Sequence, residues 1–389
     1  MDLTTSYVGL TLRNPFIAAP AGTTETVDRM KRSEDAGIGA VVMKTLFETE
    51  FMRRSPTPRF RLLRHDLGTY KTFTLYSYEQ AHVYGPQEFA AELARAKEQL
   101  SVPVIASIGC TEDSTWIDYL NLVQQAGADA VELNVSCPHG PTVLGEHDVV
   151  DEGCRVLGLL ANHRRLPLIP KMTGQLTDPV RGAQRLEEAG ADAVVMFNRH
   201  TGLDIDLEAE APIMHGGYAG HGGPWALSFV LRWISATSPH LRIPIAASGG
   251  VSSGEDAAKL LLVGATVVQV CSAIVLQGYR VIGRMVRGLE RFMEDKGYRS
   301  PNEFRGKAVD RIVAPERVDR EPRVVARINP ELCTACGICQ RVCIYDAVDA
   351  GKPAYAINSQ CAGCGLCPEL CPEAAISLVP IGGQRDANL

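Results

Sequence analysis

Nothing in this sequence reads as a membrane span or an export signal. No run of about 18 uncharged apolar residues occurs, and the opening segment MDLTTSYVGLTLRNPF has no basic stretch followed by an apolar core. Lysine and arginine do not cluster, aromatics make up only 6% of the residues, and the net charge of -6 is spread over interspersed acids and bases. That excludes the basic, aromatic-rich surfaces of nucleic-acid binders and of proteins held on anionic membranes. Also missing is a Gly-x-Gly-x-x-Gly opening a helix after a strand, so a nicotinamide dinucleotide is expected to bind elsewhere. A disulfide scaffold is not expected either. Of the twelve cysteines, eight crowd between Cys333 and Cys371 and the other four scatter, a distribution that points to metal in a reducing compartment and hence to a cytoplasmic protein.

At 389 residues with 46% apolar side chains, the chain can bury one large core and a small satellite. Eight short apolar runs recur: Phe16–Ala19, Ala40–Met43, Val102–Ser107, Ala130–Asn134, Pro167–Pro170, Ala193–Phe197, Ile243–Ala247 and Thr266–Val270. Each is too short for a helix and lacks polar alternation, as expected of a parallel strand covered on both faces. Amphipathic stretches such as Pro86–Leu100, Ser114–Ala126, Pro179–Ala189 and Ser253–Val263 supply the crossovers, and Gln277–Lys296 completes the eighth unit. An internal echo repeats a helix end, a glycine stop and a buried strand at Ala36–Val42, Ala126–Val131, Ala189–Val195 and Val263–Val268. The predicted fold is α/β: a (β/α)8 TIM barrel over residues 1–300, a charged, Pro-punctuated linker or arm over 301–323, a small α+β domain over 324–380, and a tail over 381–389.

The small domain carries one spacing twice. Cys333-x2-Cys336-x2-Cys339-x3-Cys343 is followed by Cys361-x2-Cys364-x2-Cys367-x3-Cys371. Three thiolates on a tight loop hold three irons of a cube while the fourth, past a turn of helix, crosses to the other cluster. Cys333, Cys336, Cys339 and Cys371 are therefore assigned to one [4Fe–4S] cluster, and Cys361, Cys364, Cys367 and Cys343 to a second. The alternative is a pair of zinc knuckles, but zinc has no use for the third cysteine at x2 in both halves. Gly337 and Gly365 fall at matching positions where a positive φ turns backbone amides toward sulfur. Ile344 stands where the second half has Pro372. Such clusters move electrons singly, so the barrel must collect them in pairs.

Reactive groups of such barrels sit at the C-terminal strand ends. Here these are Lys44-Thr45, Ser107, Asn134 to Cys137, Lys171, Asn198-Arg199, Ser248-Gly249-Gly250 and Cys271-Ser272. Lysines closing apolar strands are costly unless something polar or anionic meets them. The glycine pair after strand seven and Cys271-Ser272 after strand eight occupy the usual phosphate position.

Four segments carry a family resemblance: Asn134-Val135-Ser136-Cys137-Pro138-His139-Gly140, Pro170-Lys171-Met172-Thr173, Ala247-Ser248-Gly249-Gly250-Val251 and Val268-Gln269-Val270-Cys271-Ser272-Ala273. They resemble the signature segments of the dihydroorotate and dihydropyrimidine dehydrogenases, above all the ferredoxin-fused, pyrimidine-reducing kind. The resemblance implies FMN at the barrel mouth, contacted by Lys44 and Lys171. It places Lys171 near the N1–C2 edge, where it stabilises negative charge on reduced flavin. It further implies that Gly249, Gly250, Cys271 and Ser272 hold the phosphate, and that Ala19, Thr45 and Asn134 touch flavin or substrate. Cys137 resembles the family's acid/base on a loop, 136–150, that closes over substrate; the plain alternative is a small core residue, as Cys110 and Cys154 are read. His139 is given no role.

Asn134 and Asn198 match positions whose amides pair with the substrate ring, whereas Asp113 and Arg199 depart from the expected asparagine and threonine. Either these two pair with each other or point away, or Arg199 grips a substrate carboxylate. The resemblance thus implies interconversion of a dihydropyrimidine, such as dihydrouracil or dihydroorotate, and its unsaturated form. Electrons would pass to or from a NAD(P)H-oxidising flavoprotein subunit or a ferredoxin, in a homodimer or a complex of two subunit types. The other readings are a reductase of a different conjugated C=C or cyclic acid, and an electron-transfer subunit whose flavin is only a relay.

Overall fold

The computed structural model describes residues 1–49, 57–67, 70–78, 82–135, 148–349, 351 and 355–381. It divides into two compact units, Met1–Ile312 and Val313–Leu389. In the first, all eight expected strands form and pair in parallel: Phe16–Ala18, Ala40–Val42, Val104–Gly109, Ala130–Leu133, Leu168–Met172, Val194–Met196, Ile245–Ser248 and Val267–Val270. The last pairs with the first, Val268 opposite Phe16, so the sheet closes into a barrel. Strands three and five run further than expected, through Gly109 and Met172. Lys171 is therefore a barrel-strand residue and not one of the loop that follows, while Ser107 lies within its strand as expected.

The pleat divides the apolar residues into two cores. Ile17, Val42, Ile105, Ala130, Ile169, Val195, Ala246 and Val267, one from each strand, fill the barrel interior together with Tyr7 and Leu12. Those two come from an N-terminal hairpin, Thr5–Tyr7 paired with Leu10–Leu12, whose buried side chains join that interior cluster. The alternate residues, such as Val41, Val104, Val131 and Val194, pack outward against the helices. At about 1.5–3 kcal/mol for each large aliphatic side chain buried, these two layers are the main favourable term for the fold.

The repeated sequence echo has a structural cause. Its glycines, Gly37, Gly127, Gly190 and Gly264, all lie at positive φ, between 88° and 105°, where they stop a helix and turn the chain into the next strand. In two copies the aspartate after the glycine makes the same tie. Asp129 accepts the Val104 amide at 2.7 Å and pairs with Lys97; Asp192 accepts the Leu168 amide at 2.8 Å and pairs with Arg164. Each carboxylate thus anchors the start of the preceding strand.

Glu34 does similar work before strand three, accepting bonds from Ser101 N, Ser101 Oγ and Val102 N and pairing with Lys31. Burial pushes this carboxyl up, but those hydrogen bonds outweigh it and hold its pKa at about 2, below the ordinary 4.5. A depressed folded pKa stabilises above the unfolded value and fades as pH falls toward the folded one. Glu34→Gln should therefore unfold more easily than the parent at neutral pH, with the gap closing between pH 4.5 and 2; a pH-independent gap in denaturant titrations would contradict this.

Two features were not legible as elements. Phe60–Leu67 and Tyr70–Ser77 form an antiparallel hairpin that pairs on through Ala219–Gly222 to His200–Gly202, making a second sheet. The first part of the expected linker belongs with the barrel: the Gly306 and Ala308 amides bond to the Leu261 and Leu262 carbonyls, and Phe304 is buried against Tyr298 and Phe292. An aromatic side chain and two backbone bonds outweigh the charged, Pro-rich composition there, so the unit boundary falls after Ile312 and not at 300.

In the second unit, Val324–Ile328 pairs antiparallel with Ile376–Pro380, and Val348–Asp349 with Ala356–Ile357. Two short helices, Ile338–Val342 and Leu366–Leu370, each begin after a left-handed glycine, Gly337 and Gly365. The tail beyond 381 lies outside the described residues. Among the described residues, no helix is long and apolar enough to cross a membrane.

Candidate active site and cluster sites

A cavity of about 1220 Å3, measured out to open solvent, sits in the barrel unit. Ala19, Lys44, Thr45, Asn134, Lys171, Asn198, Arg199, Gly249, Gly250, Cys271 and Ser272 all line it. Asp113 does not. It begins the helix Asp113–Gln125, is more than half exposed, and pairs with Arg155 from the helix Val149–Leu160. Its expected substrate role and its alternative pairing with Arg199 are both withdrawn, because a nearer cation already satisfies it. Cys137, His139 and most of the 136–150 loop lie outside the described residues.

The two lysines meet the anionic partners that their burial requires. Lys44 Nζ lies 3.1 Å from Glu25 Oε1. Burial works against the Glu25 carboxylate, yet the Lys44 ammonium prevails and holds its pKa below the usual range. His82 backs this pair: its Nε2 donates to the Glu25 carbonyl at 2.7 Å while its Nδ1 accepts the Tyr84 amide at 3.2 Å. That pattern requires a neutral ring, in keeping with burial, which pushes its pKa down.

Lys171 Nζ donates to Glu132 Oε1 at 3.1 Å and to Gln269 Oε1 at 2.8 Å, and Gln269 Nε2 donates to Glu132 Oε2 at 2.6 Å. All three side chains are buried, in a closed ring of hydrogen bonds. A buried ion pair without further hydrogen bonds is a net cost, and Gln269 supplies them. Sequence reasoning missed Glu25, His82, Glu132 and Gln269. Glu132 had a visible signal, a carboxylate inside an apolar strand.

A second network is neutral. Thr45 Oγ1 and Ser107 Oγ are 2.8 Å apart, Asn134 Nδ2 donates to Thr45 Oγ1 at 3.2 Å, and Asn198 Nδ2 donates to Asn134 Oδ1 at 3.1 Å. Asn198 Oδ1 then accepts the Arg199 amide at 3.0 Å. Side chains from strand three and the ends of strands two, four and six thus hold two amides in fixed orientation. Beside them Arg199 donates to Ser77 Oγ at 3.0 Å, tying the barrel to the hairpin that was not foreseen. Arg199 lies across Gly220, where an added Cβ would stand 2.1 Å from Arg199 Cδ, so only glycine admits it.

Gly249 and Gly250 take φ of +121° and +77°, and a Cβ on Gly250 would stand 2.4 Å from the Leu227 amide nitrogen, near the start of the helix Ala226–Thr237. A tight glycine turn beside helix starts, with Ser272 opening its own helix after strand eight, suits an anionic phosphate. The buried ammonium groups, the rigid amides and this turn fit a phosphate-bearing, redox-active ring system.

The cysteines also separate as spacing required. One cavity in the second unit is lined by Cys333, Cys336, Cys339 and Cys371, and another by Cys343, Cys361, Cys364 and Cys367. Backbone amides reach sulfur at matching places, Ala347 to Cys343 and Ala375 to Cys371, each at 3.3 Å. Such bonds favour the reduced cube and help set its potential.

Comparison with known proteins agrees with this chemistry. The dihydroorotate dehydrogenase family model matches residues 2–293, and the 4Fe-4S binding domain model matches 326–349. The chain is 33% identical over 361 residues to the NAD-dependent dihydropyrimidine dehydrogenase subunit PreA of Escherichia coli, covering 89% of this chain and 86% of that one. It is 32% identical over 314 residues to the catalytic subunit of dihydroorotate dehydrogenase B (NAD(+)) of Methanothermobacter thermautotrophicus, covering 79% and 99%. It is 29% identical over 328 residues to the chloroplastic dihydropyrimidine dehydrogenase (NADP(+)) of Arabidopsis thaliana, covering 78% and 76%. A flavin-dependent oxidoreductase with FMN in its barrel and two [4Fe–4S] clusters in its second unit accounts for the barrel cavity and both cysteine sets, and the chain belongs to the dihydroorotate dehydrogenase family.

Proposed function

We propose that this chain interconverts a dihydropyrimidine and its unsaturated form, and exchanges the electrons through its two clusters with a separate partner. The observation that carries this reading is the pair of amides, Asn134 and Asn198, locked by the Thr45–Ser107 network beside buried Lys171. A ring with alternating N–H and C=O groups needs fixed amides, since an amide offers both donor and acceptor.

FMN, when bound, supplies a two-electron carrier that exchanges hydride with one carbon of the substrate C=C. The chain's own residues do the rest. Asn134 and Asn198 orient the ring, Lys171 meets negative charge at the cavity floor, and Lys44, paired with Glu25, borders the flavin. Cys137 exchanges a proton with the neighbouring carbon, so that hydride and proton together make or break two C–H bonds. Gly249, Gly250, Cys271 and Ser272 hold the phosphate, and Ala19 and Thr45 border the ring.

The electron partner is a NAD(P)H-oxidising flavoprotein subunit or a ferredoxin, in a homodimer or a complex of two subunit types. The absence of a dinucleotide fingerprint and the subunit name of the Escherichia coli relative support this. Oxygen-sensitive cubes, and cysteines spaced for metal and not for disulfides, favour the cytoplasm. Anaerobically purified protein should carry FMN with iron and labile sulfide for two cubes, and its flavin should be reduced or reoxidised by dihydrouracil, uracil or their orotate-type analogues. A flavin spectrum that no pyrimidine or unsaturated acid perturbs would leave only the relay reading.

Arg199 favours a second reading, in which the substrate bears a carboxylate. Arg199 lines the cavity, its guanidinium is held by Ser77, and its side chain lies where a Cβ on residue 220 would stand. A charge-assisted bond of about 1.5–3 kcal/mol is a factor of roughly 10–100 in preference. Arg199→Thr should then lower kcat/KM for orotate-type acids by that factor relative to uracil, and an unchanged ratio would remove the idea.

A further inference from the structure

Lys171, Glu132 and Gln269 close a ring of three hydrogen bonds in which each side chain contacts both others. The ring comes from strands four, five and eight, and its members are almost wholly buried. Lys171 and Gln269 line the cavity. In the interior packing, the Tyr7 hydroxyl is buried without a hydrogen bond among the described residues, and burial together with the charge of Glu132 raises its pKa. The carboxylate and the carbonyl on Lys171 are therefore built-in parts of its charge state, in a low-dielectric layer where a neighbouring charge acts strongly. The Lys44 pair is arranged differently, since Glu25 also bonds Arg29.

We propose that Glu132 and Gln269 are positioning residues for the cofactor: the ring they close around Nζ fixes how much positive charge Lys171 presents to the cavity, and with it the two-electron potential of the flavin. This rests on reading the cavity as the FMN site with Lys171 at its floor. Glu132 subtracts from the ammonium charge and Gln269 does not, so exchanging acid for amide at either position changes the field with little change in shape. Reduced flavin carries the greater negative charge and is favoured when the site becomes more positive.

The test is the midpoint potential of the bound flavin in the holoenzyme, measured with a reference dye under anaerobic conditions. Glu132→Gln should raise the ratio of reduced to oxidised flavin at fixed potential at least tenfold, about 30 mV for a two-electron couple. Gln269→Glu should lower it by a similar factor. The double variant E132Q/Q269E moves the carboxylate across the ammonium and should return the ratio to within threefold of the parent. A structural role alone would change thermal stability and leave the potential still.

The proposal is overturned if both single variants stay within threefold of the parent, or move in the same direction. If Glu132→Gln fails to fold, the sign of the Gln269→Glu shift decides alone. Lys171→Met separates the two levels. An unchanged potential in that variant sinks the FMN-floor reading itself. A lowered potential there, with the Glu132 and Gln269 variants unmoved, sinks only this proposal.

Discussion

Replacing Lys171 by methionine should slow flavin reduction by substrate about 10²–10³-fold, the loss expected when one preorganised stabiliser of developing charge is removed. The ammonium is held by Glu132 and Gln269 before any ligand arrives, so its orientation costs nothing at the moment of reaction. The same substitution leaves Glu132 buried without its counter-ion, which costs about 3–5 kcal/mol unless the carboxyl takes up a proton. Rate and stability can be separated. The double variant K171M/E132Q removes both charges and should recover much of the thermal stability, while the rate of flavin reduction stays low. Stopped-flow reduction by substrate and thermal unfolding of the cofactor-free protein check the two halves. A well-folded Lys171→Met enzyme that reduces its flavin at the parental rate would end the role assigned to this lysine.

Cys137→Ser should lower the rate of substrate-driven flavin reduction by about 10²–10⁴, the usual worth of a positioned general acid or base. A serine hydroxyl is a far weaker acid than a thiol, so the remaining activity should rise with pH across the range where the parent is flat. Reduction of the flavin by dithionite, which needs no proton transfer to carbon, should be unaffected. The prediction rests on the Ser-Cys-Pro segment after strand four, since Cys137 lies outside the described residues. The placed cysteines give the control. Burial raises the pKa of both Cys110 and Cys154, and Cys154 Sγ donates to the Arg185 carbonyl at 3.5 Å. Neither thiol is poised to trade protons, and Cys110→Ser should leave the rate within a factor of two or three of the parent. Equal losses at 110 and 137 would point to general damage and not to catalysis.

How much of this was legible in advance depended on the range of the forces involved. The eight strands were readable because a strand covered on both faces must be apolar at nearly every position, and that is a local property of Ala40–Val42 or Val267–Val270. The cluster ligands were readable because cubes impose a fixed spacing on a single loop, and the two cysteine sets that spacing named are the two sets that line separate cavities. The cavity-lining residues after strands two, four, six, seven and eight followed from where such a barrel places its loops.

Asp113 shows the limit. Its position in the sequence suggested the substrate, yet Arg155, 42 residues on, takes it, and nothing in a linear pattern announces which cation lies nearest. The hairpin Phe60–Ser77 is a similar case, because its partner strand Ala219–Gly222 is too rich in glycine to read as a strand.

The sequence by itself determined the barrel, the pair of cubes and the lysines closing two apolar strands, since periodicity, cysteine spacing and a charge in an apolar strand are all signals carried within a few residues. Only the tertiary structure decided what those lysines meet. Glu25 for Lys44, and Glu132 with Gln269 for Lys171, come from distant parts of the chain, and an ion pair depends on distance in space, which closure of the barrel alone supplies.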